Sequence, residues 1–222
     1  MALIAKAGEG GNFTPVPEGM HLARCYRIVD MGTQAGEYQG KPTMAYKVML
    51  QFEVHGEDNE GKKLVTAKNE PLSISKNYTL SLGEKANLRK DLQAWRGRQF
   101  TLDELKGFEL KNVLGAWALL NVAKAAGNDG KEYTNVVAIN PVPKMLKDTI
   151  PTGHNELKMF DINNPDMELF ESFGDKLRDK IRQSPEWRAV HGERNQQYSQ
   201  APAPAAKPAA KGFEDMDDDI PF

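Results

Sequence analysis

The chain has 222 residues, 40% hydrophobic and 27% charged, with a formal net charge of −2. That is enough apolar material for one domain with extensions or for two small ones, and too balanced a charge for a histone-like polycation. The single cysteine, Cys25, excludes an internal disulfide and points to a reducing compartment.

No apolar run approaches the roughly 20 residues needed to cross a bilayer. The opening MALIAKAGEGGNF lacks the apolar length of a signal peptide, so a cytoplasmic protein is expected. Residues 1–19 hold Gly8, Gly10 and Gly11, then Pro15 and Pro17. No Lys-Ser/Thr follows these glycines and no strand precedes them, so the stretch reads as a flexible arm and not as a phosphate loop. Strand formers dominate 20–31, and 32–42, with three glycines around Tyr38 and Lys41, is expected to be a loop. The clearest strand is 43–55. Its period of two puts Met44, Tyr46, Val48, Leu50, Phe52 and Val54 on one face, and Ala45, Lys47, Met49, Gln51, Glu53 and His55 on the other.

After the polar turn 56–63, the chain is expected to return as a strand over 62–67, continued by 71–80. Ala86, Leu88, Leu92 and Trp95 then fall at helical spacings, with Ser81 as a cap, and 102–105 adds a further turn. The apolar 113–126 would suit helix or strand; the Asn128-Asp129-Gly130 turn and the strand-like 133–139 behind it favour a hairpin. Three strands, a helix and two strands within 20–143 predict a mainly β protein, a five-stranded OB-fold barrel with a helix between strands 3 and 4. Residues 144–195 are expected to form a helical extension. After an irregular 144–160 comes a helix over 165–183, with Met167, Phe170, Phe173, Leu177 and Ile181 as its stripe and Asp161 or Asn164 as its cap. A short helix over 185–191 carries Trp187. Residues 196–211 are an Ala/Pro-rich linker, semi-extended at roughly 3 Å per residue, and 212–222 are a disordered acidic tail.

Catalytic chemistry finds little footing. His21, His55, His154 and His191 are scattered without metal-ligand spacing, Gly83-Glu84-Lys85 lacks the glycines of a nucleotide loop, and Cys25 reads as a small buried hydrophobe. No enzyme, cofactor or metal is expected. Binding chemistry fares better, because capture of a single strand needs cations for phosphates and flat side chains for bases. Arg24, Tyr26 and Arg27 lie in the first strand, and Trp117, Lys124, Lys131 and Tyr133 flank the last hairpin. Tyr46, Phe52 and Trp117 stand among apolar neighbours and read as core. OB-folds bind through strands two and three and the loops joining strands one to two and four to five, so the candidates are Arg24, Tyr38, Lys41, Lys47, Lys76, Tyr78 and Tyr133.

The last twelve residues, KGFEDMDDDIPF, set five acids against one lysine and then end on an apolar Ile220-Pro221-Phe222. A solvated acidic run needs no such plug, whereas a partner pocket with a basic mouth would capture it together with a terminal carboxylate. Asp217-Asp218-Asp219-Ile220-Pro221-Phe222 resembles the terminal hexapeptide of bacterial single-stranded DNA-binding proteins. The resemblance implies non-catalytic coating of single-stranded DNA during replication, recombination and repair. It also implies recruitment of replication and repair proteins through Asp217, Asp218, Asp219, Ile220, Pro221 and Phe222. The body carries no motif of the bacterial proteins, and the helices after residue 160 are additional, a divergence that looks like bacteriophage-encoded members. Two rival readings are an adaptor or decoy that displays the tail without binding DNA, and an enzyme of nucleotide metabolism.

Overall fold

The computed structural model describes residues 14–191 apart from 39, 59, 128, 129 and 131, and for Tyr38 the backbone only. Of the arm expected over 1–19, residues 1–13 lie outside the described residues, as do the linker 196–211 and the acidic tail 212–222; the rest is not a free arm, since Val16 is buried in the core and Gly19 opens the first strand. Among the described residues six strands and five α-helices, besides two 3-10 turns at Leu110–Val113 and Lys144–Thr149, follow in the order β1 (Gly19–Tyr38), β2 (Lys41–His55), β3 (Leu72–Thr79), α1 (Asn87–Arg96), α2 (Leu102–Lys106), β4 (Trp117–Ala126), β5 (Glu132–Asn140), β6 (Lys158–Phe160), α3 (Met167–Glu171), α4 (Asp175–Gln183) and α5 (Pro185–His191). The protein is mainly β.

Five strands form an antiparallel path in the order β3-β2-β1-β4-β5, and β6 adds to β1 in parallel. The path is open. β3 and β5 are its ends, and no hydrogen-bonded ladder joins them among the described residues. β1 runs through register shifts at Cys25/Arg27 and Asp30/Gly32, and such bulges bend and twist a strand. Its first part therefore pairs β4 over Gly19–Arg24, and β6 takes the same edge over Arg27–Val29 where β4 has left it.

The inner face is filled by alternate residues of the strands. Val48, Leu50, Phe52 and Val54 of β2 meet Leu72, Ile74 and Tyr78 of β3 and Leu120, Val122, Val136 and Ile139 of the β4–β5 hairpin. α1 closes this core with Leu88, Leu92 and Trp95. The Tyr78 hydroxyl donates to Asp91 at 2.7 Å, and Trp95 Nε1 donates to the Trp117 carbonyl at 2.8 Å, so both large polar-tipped residues bury without losing a hydrogen bond.

A second core lies on the outer face. Val29, Met31 and Met49 are covered by Phe160, Ile162, the helix residues Leu169, Phe170, Ile181 and Trp187, and Phe173 between α3 and α4. This segment also covers part of the second face of β2. Met49 is 8% exposed and Glu53 fully buried, because the C-terminal segment folds back over them. Glu53 holds that segment. Its carboxylate accepts from the backbone N–H groups of His154 (3.0 Å) and Asn155 (2.7 Å) and from the Asn155 side chain (2.6 Å). Arg24 Nε lies 2.8 Å and His55 Nε2 3.3 Å away. The Arg24 guanidinium also donates to the Asn155 carbonyl and lies against Gly153, where a Cβ would fall 1.8 Å from its Cζ. A second clasp holds α5. The Glu186 carboxylate accepts from the Thr33 N–H (2.8 Å) and hydroxyl (2.6 Å). Beside it Gly32, at φ +66°, leaves a gap that Ser184 and Glu186 occupy.

Four further expectations are corrected. The loop at 32–42 is instead a paired arm, with Thr33 opposite Tyr46 and Tyr38 opposite Lys41; the ladder overrides the weak strand preference of its glycines. Residues 62–67 form no strand and make only isolated bridges, at Lys63 and Val65. The helix at 165–183 is broken at Gly174 into α3 and α4, and Asp166 is its cap, accepting from the Leu169 N–H at 3.0 Å. β6 arises inside the stretch read as irregular. It exists only because β1 supplies its partner.

Burial alone pushes the Glu53 carboxyl up, but the Asn155 amides, the His154 N–H and His55 outweigh it and hold the group below the usual carboxylate range. A carboxyl lowered on folding contributes stability above the unfolded glutamate range, about 4.3, and loses it as pH falls through the folded value. Glu53→Gln should therefore cost about 3–5 kcal/mol at pH 7 by leaving Arg24 uncompensated. Urea unfolding of both proteins at pH 7 and in acid checks this, and the gap should narrow in acid. Gly32→Ala puts a methyl 2.7 Å from the Ser184 side chain and should cost about 1–3 kcal/mol, read as a lower unfolding midpoint.

Candidate functional site

With the inner face packed and the outer face covered over β1 and at Met49 and Glu53 of β2, the outer face at Gln51 and along β3 stays open between two hairpins. A groove of about 1210 Å³ lies there. Its floor is Gln51, Ser73, Ser75 and Asn77, neutral groups that can both donate and accept hydrogen bonds. One wall is the β1–β2 arm, with Thr33, Gln34, Ala35, Met44 and Lys47. The opposite wall is the β4–β5 hairpin, with Lys124, Glu132, Tyr133 and Thr134. The C-terminal helices contribute Lys180, Gln183, Pro185 and Arg188.

The charge of this lining is one-sided. Lys47, Lys76, Lys124, Lys180 and Arg188 face a single carboxylate, Glu132. Lys47 donates to the Thr79 hydroxyl at 2.9 Å, a neutral partner that leaves its charge uncompensated. Lys124 sits 4.0 Å from Glu18 and 3.9 Å from Glu132, at the limit of an ion pair and half exposed, where such pairs contribute little. Lys76 differs. Its ammonium pairs with Asp91 at 2.9 Å and lies 5.5 Å from the centre of the Tyr78 ring, so much of its field is already spent. Burial first, and the Lys47 ammonium second, hold the Lys180 ammonium below its ordinary value.

Of the residues expected from the sequence, the structure brings Lys47, Lys76 and Tyr133 together in this groove. Lys41 is exposed near the tip of the arm, opposite Tyr38 in the ladder and outside the lining. Tyr78 and Arg24 do not belong to the groove. Tyr78 is 2% exposed because it shares the inward parity of Leu72 and Ile74, and its ring cannot meet a base. Arg24 is held by Glu53 and Asn155. Trp117 is half-buried with its ring 5.0 Å from His55, and Tyr46 is tied to Asp30 at 2.9 Å.

Lys180 and Arg188 escaped the sequence reading because nothing local sends a helix 150 residues downstream back to β1. Lys124 did stand out as a cation beside the last hairpin. Cys25 is buried, which pushes its thiol up to about 12 and leaves it no nucleophilic role at neutral pH. Among the described residues no group of three His, Cys, Asp or Glu is placed to hold a metal ion. The arrangement is a groove whose lining carries more cations than carboxylates over a neutral polar floor. Comparison of the chain with protein-family models and with curated proteins returned no match.

Proposed function

We propose that this protein binds single-stranded DNA without sequence preference, in the groove over β2 and β3, and recruits replication and repair proteins through its acidic tail. The observation that carries this reading is the lining itself, five cations against one carboxylate over a floor of neutral hydrogen-bonding groups. Cations along a groove that tracks the backbone, with rings for the bases, are what capture of a single strand requires. The body is on this reading an OB-type barrel. Support comes from the strand order, the helix between the third and fourth strands, and the approach of β3 and β5 to within 8 Å between Cα atoms. An OB-fold binds on the face of strands two and three between its two flanking loops, which is where the groove lies.

Magnitudes decide which force dominates. A stacked base contributes roughly 1–3 kcal/mol, and Tyr133 is the one aromatic ring among the described lining residues. Phosphate contacts therefore outweigh stacking. Four or five of them give log Kobs against log [salt] a slope of roughly −3, at about −0.7 per phosphate for a single strand. The scarcity of rings also favours the rival reading, an adaptor that displays the tail without holding DNA, and the same titration separates the two.

Oligo-dT titrated against tyrosine and tryptophan fluorescence should quench emission and bind with that salt slope, and no binding at low salt would leave the adaptor. Lys47→Ala should flatten the slope by about 0.7, whereas Tyr133→Ala should weaken binding by roughly 1–3 kcal/mol with the slope unchanged. Removing Phe222 should abolish capture of replication proteins in a pull-down, with oligo-dT affinity equal or slightly higher.

A further inference from the structure

We infer that the C-terminal helical segment is part of the DNA-binding surface, with Lys180 of α4 and Arg188 of α5 joining Lys47 of β2 in a phosphate-backbone anchor along one wall of the groove. The inference rests on the single-strand reading above and extends it to a segment that the fold of the barrel does not require.

Three observations carry it. Lys180, Arg188 and Lys47 line one and the same groove although they come from separate elements. Lys47 and Lys180 stand near enough for one ammonium to disfavour the other, and a phosphate placed between them would relieve that repulsion. The three acids of α4 and α5, and Glu171 of α3, are meanwhile engaged by other partners. Glu186 is bound to Thr33, Asp175 and Glu171 to Arg178, and Asp179 lies 3.6 Å from Arg182. Arg188 is exposed and has no carboxylate partner among the described residues. Lys180 and Arg188 thus line the groove while the acids of α4 and α5 are held by other partners.

The wall is also held in place. Gln34 Nε2 donates to the Lys180 carbonyl at 3.0 Å and to the Met31 carbonyl at 2.6 Å, tying the end of α4 to β1. Ser184, fully buried, donates to the Ile181 carbonyl at 2.8 Å and accepts from the Trp187 N–H at 3.1 Å, fixing the joint between α4 and α5. A preorganised anchor gains affinity because little ordering remains to be done on binding.

The test uses the full-length chain and oligo-dT over a range of salt. Lys180→Met with Arg188→Met keeps the apolar stems and removes both charges, and it should bind more weakly with a slope shallower by about 1.4. Lys180→Arg with Arg188→Lys should restore the slope, which a merely structural role would not do. Lys176→Met, on an exposed position of α4 outside the lining, should leave slope and affinity unchanged. If the wild type binds and the double Met variant, folded by circular dichroism, keeps the wild-type slope, the anchor is overturned and the single-strand reading stands. If Lys176→Met flattens the slope equally, the effect is diffuse charge and the anchor is overturned too. If the wild type binds no oligo-dT, both readings fall.

Discussion

A carboxylate sits where water does not reach it. Glu53 points from β2 into the outer face of the sheet, and every donor that compensates it from outside the sheet comes from His154 and Asn155, about a hundred residues away. Burying a charge unaided costs several kcal/mol, and removing one partner of a buried pair costs about 3–5 kcal/mol. The segment around Gly153 therefore cannot leave the sheet without stranding both Glu53 and Arg24. Such a network is weak evidence for net stability. What it does enforce is position, since few other placements of the segment satisfy the same oxygens.

The remaining architecture follows from that position. With 153–155 fixed against β2, the chain continues directly into β6, which takes the free edge of β1 at Arg27–Val29. Phe160 and Ile162 then begin the second core, and the stacked pair of Phe170 and Trp187, 4.4 Å between ring centres, completes it. The Thr33–Glu186 clasp and the left-handed Gly32 set the far end. One face of β1 is thereby closed, and the neighbouring face of β2 and β3 is left as the floor of a groove with a ready-made wall.

The division between the two faces gives the groove its chemistry. On this side of the sheet Gln51 pairs with Ser75 and Met49 with Asn77 across the ladder; the apolar Met49 is taken by the second core, and the three polar residues stay in the floor. What stays open is polar and flanked by cations on two hairpins and two helices. A surface of this kind carries a field that favours anions over cations, and the proposed single-strand binding rests on that field.

Much of this was written locally. The period of two in β2 and the helical spacing of Leu88, Leu92 and Trp95 are short-range patterns, and short-range sterics and hydrogen bonding set them whatever the rest of the chain does. They determined a mainly β body, the order of its first five strands and the helix between the third and fourth. Periodicity says which residues share a face, but not what will cover that face. Met49 and Glu53 were buried, Tyr78 and Arg24 withdrawn, and Lys180 and Arg188 delivered by contacts spanning up to 153 residues. Only the tertiary structure could decide these, because burial and electrostatic field depend on distance in space and not along the chain.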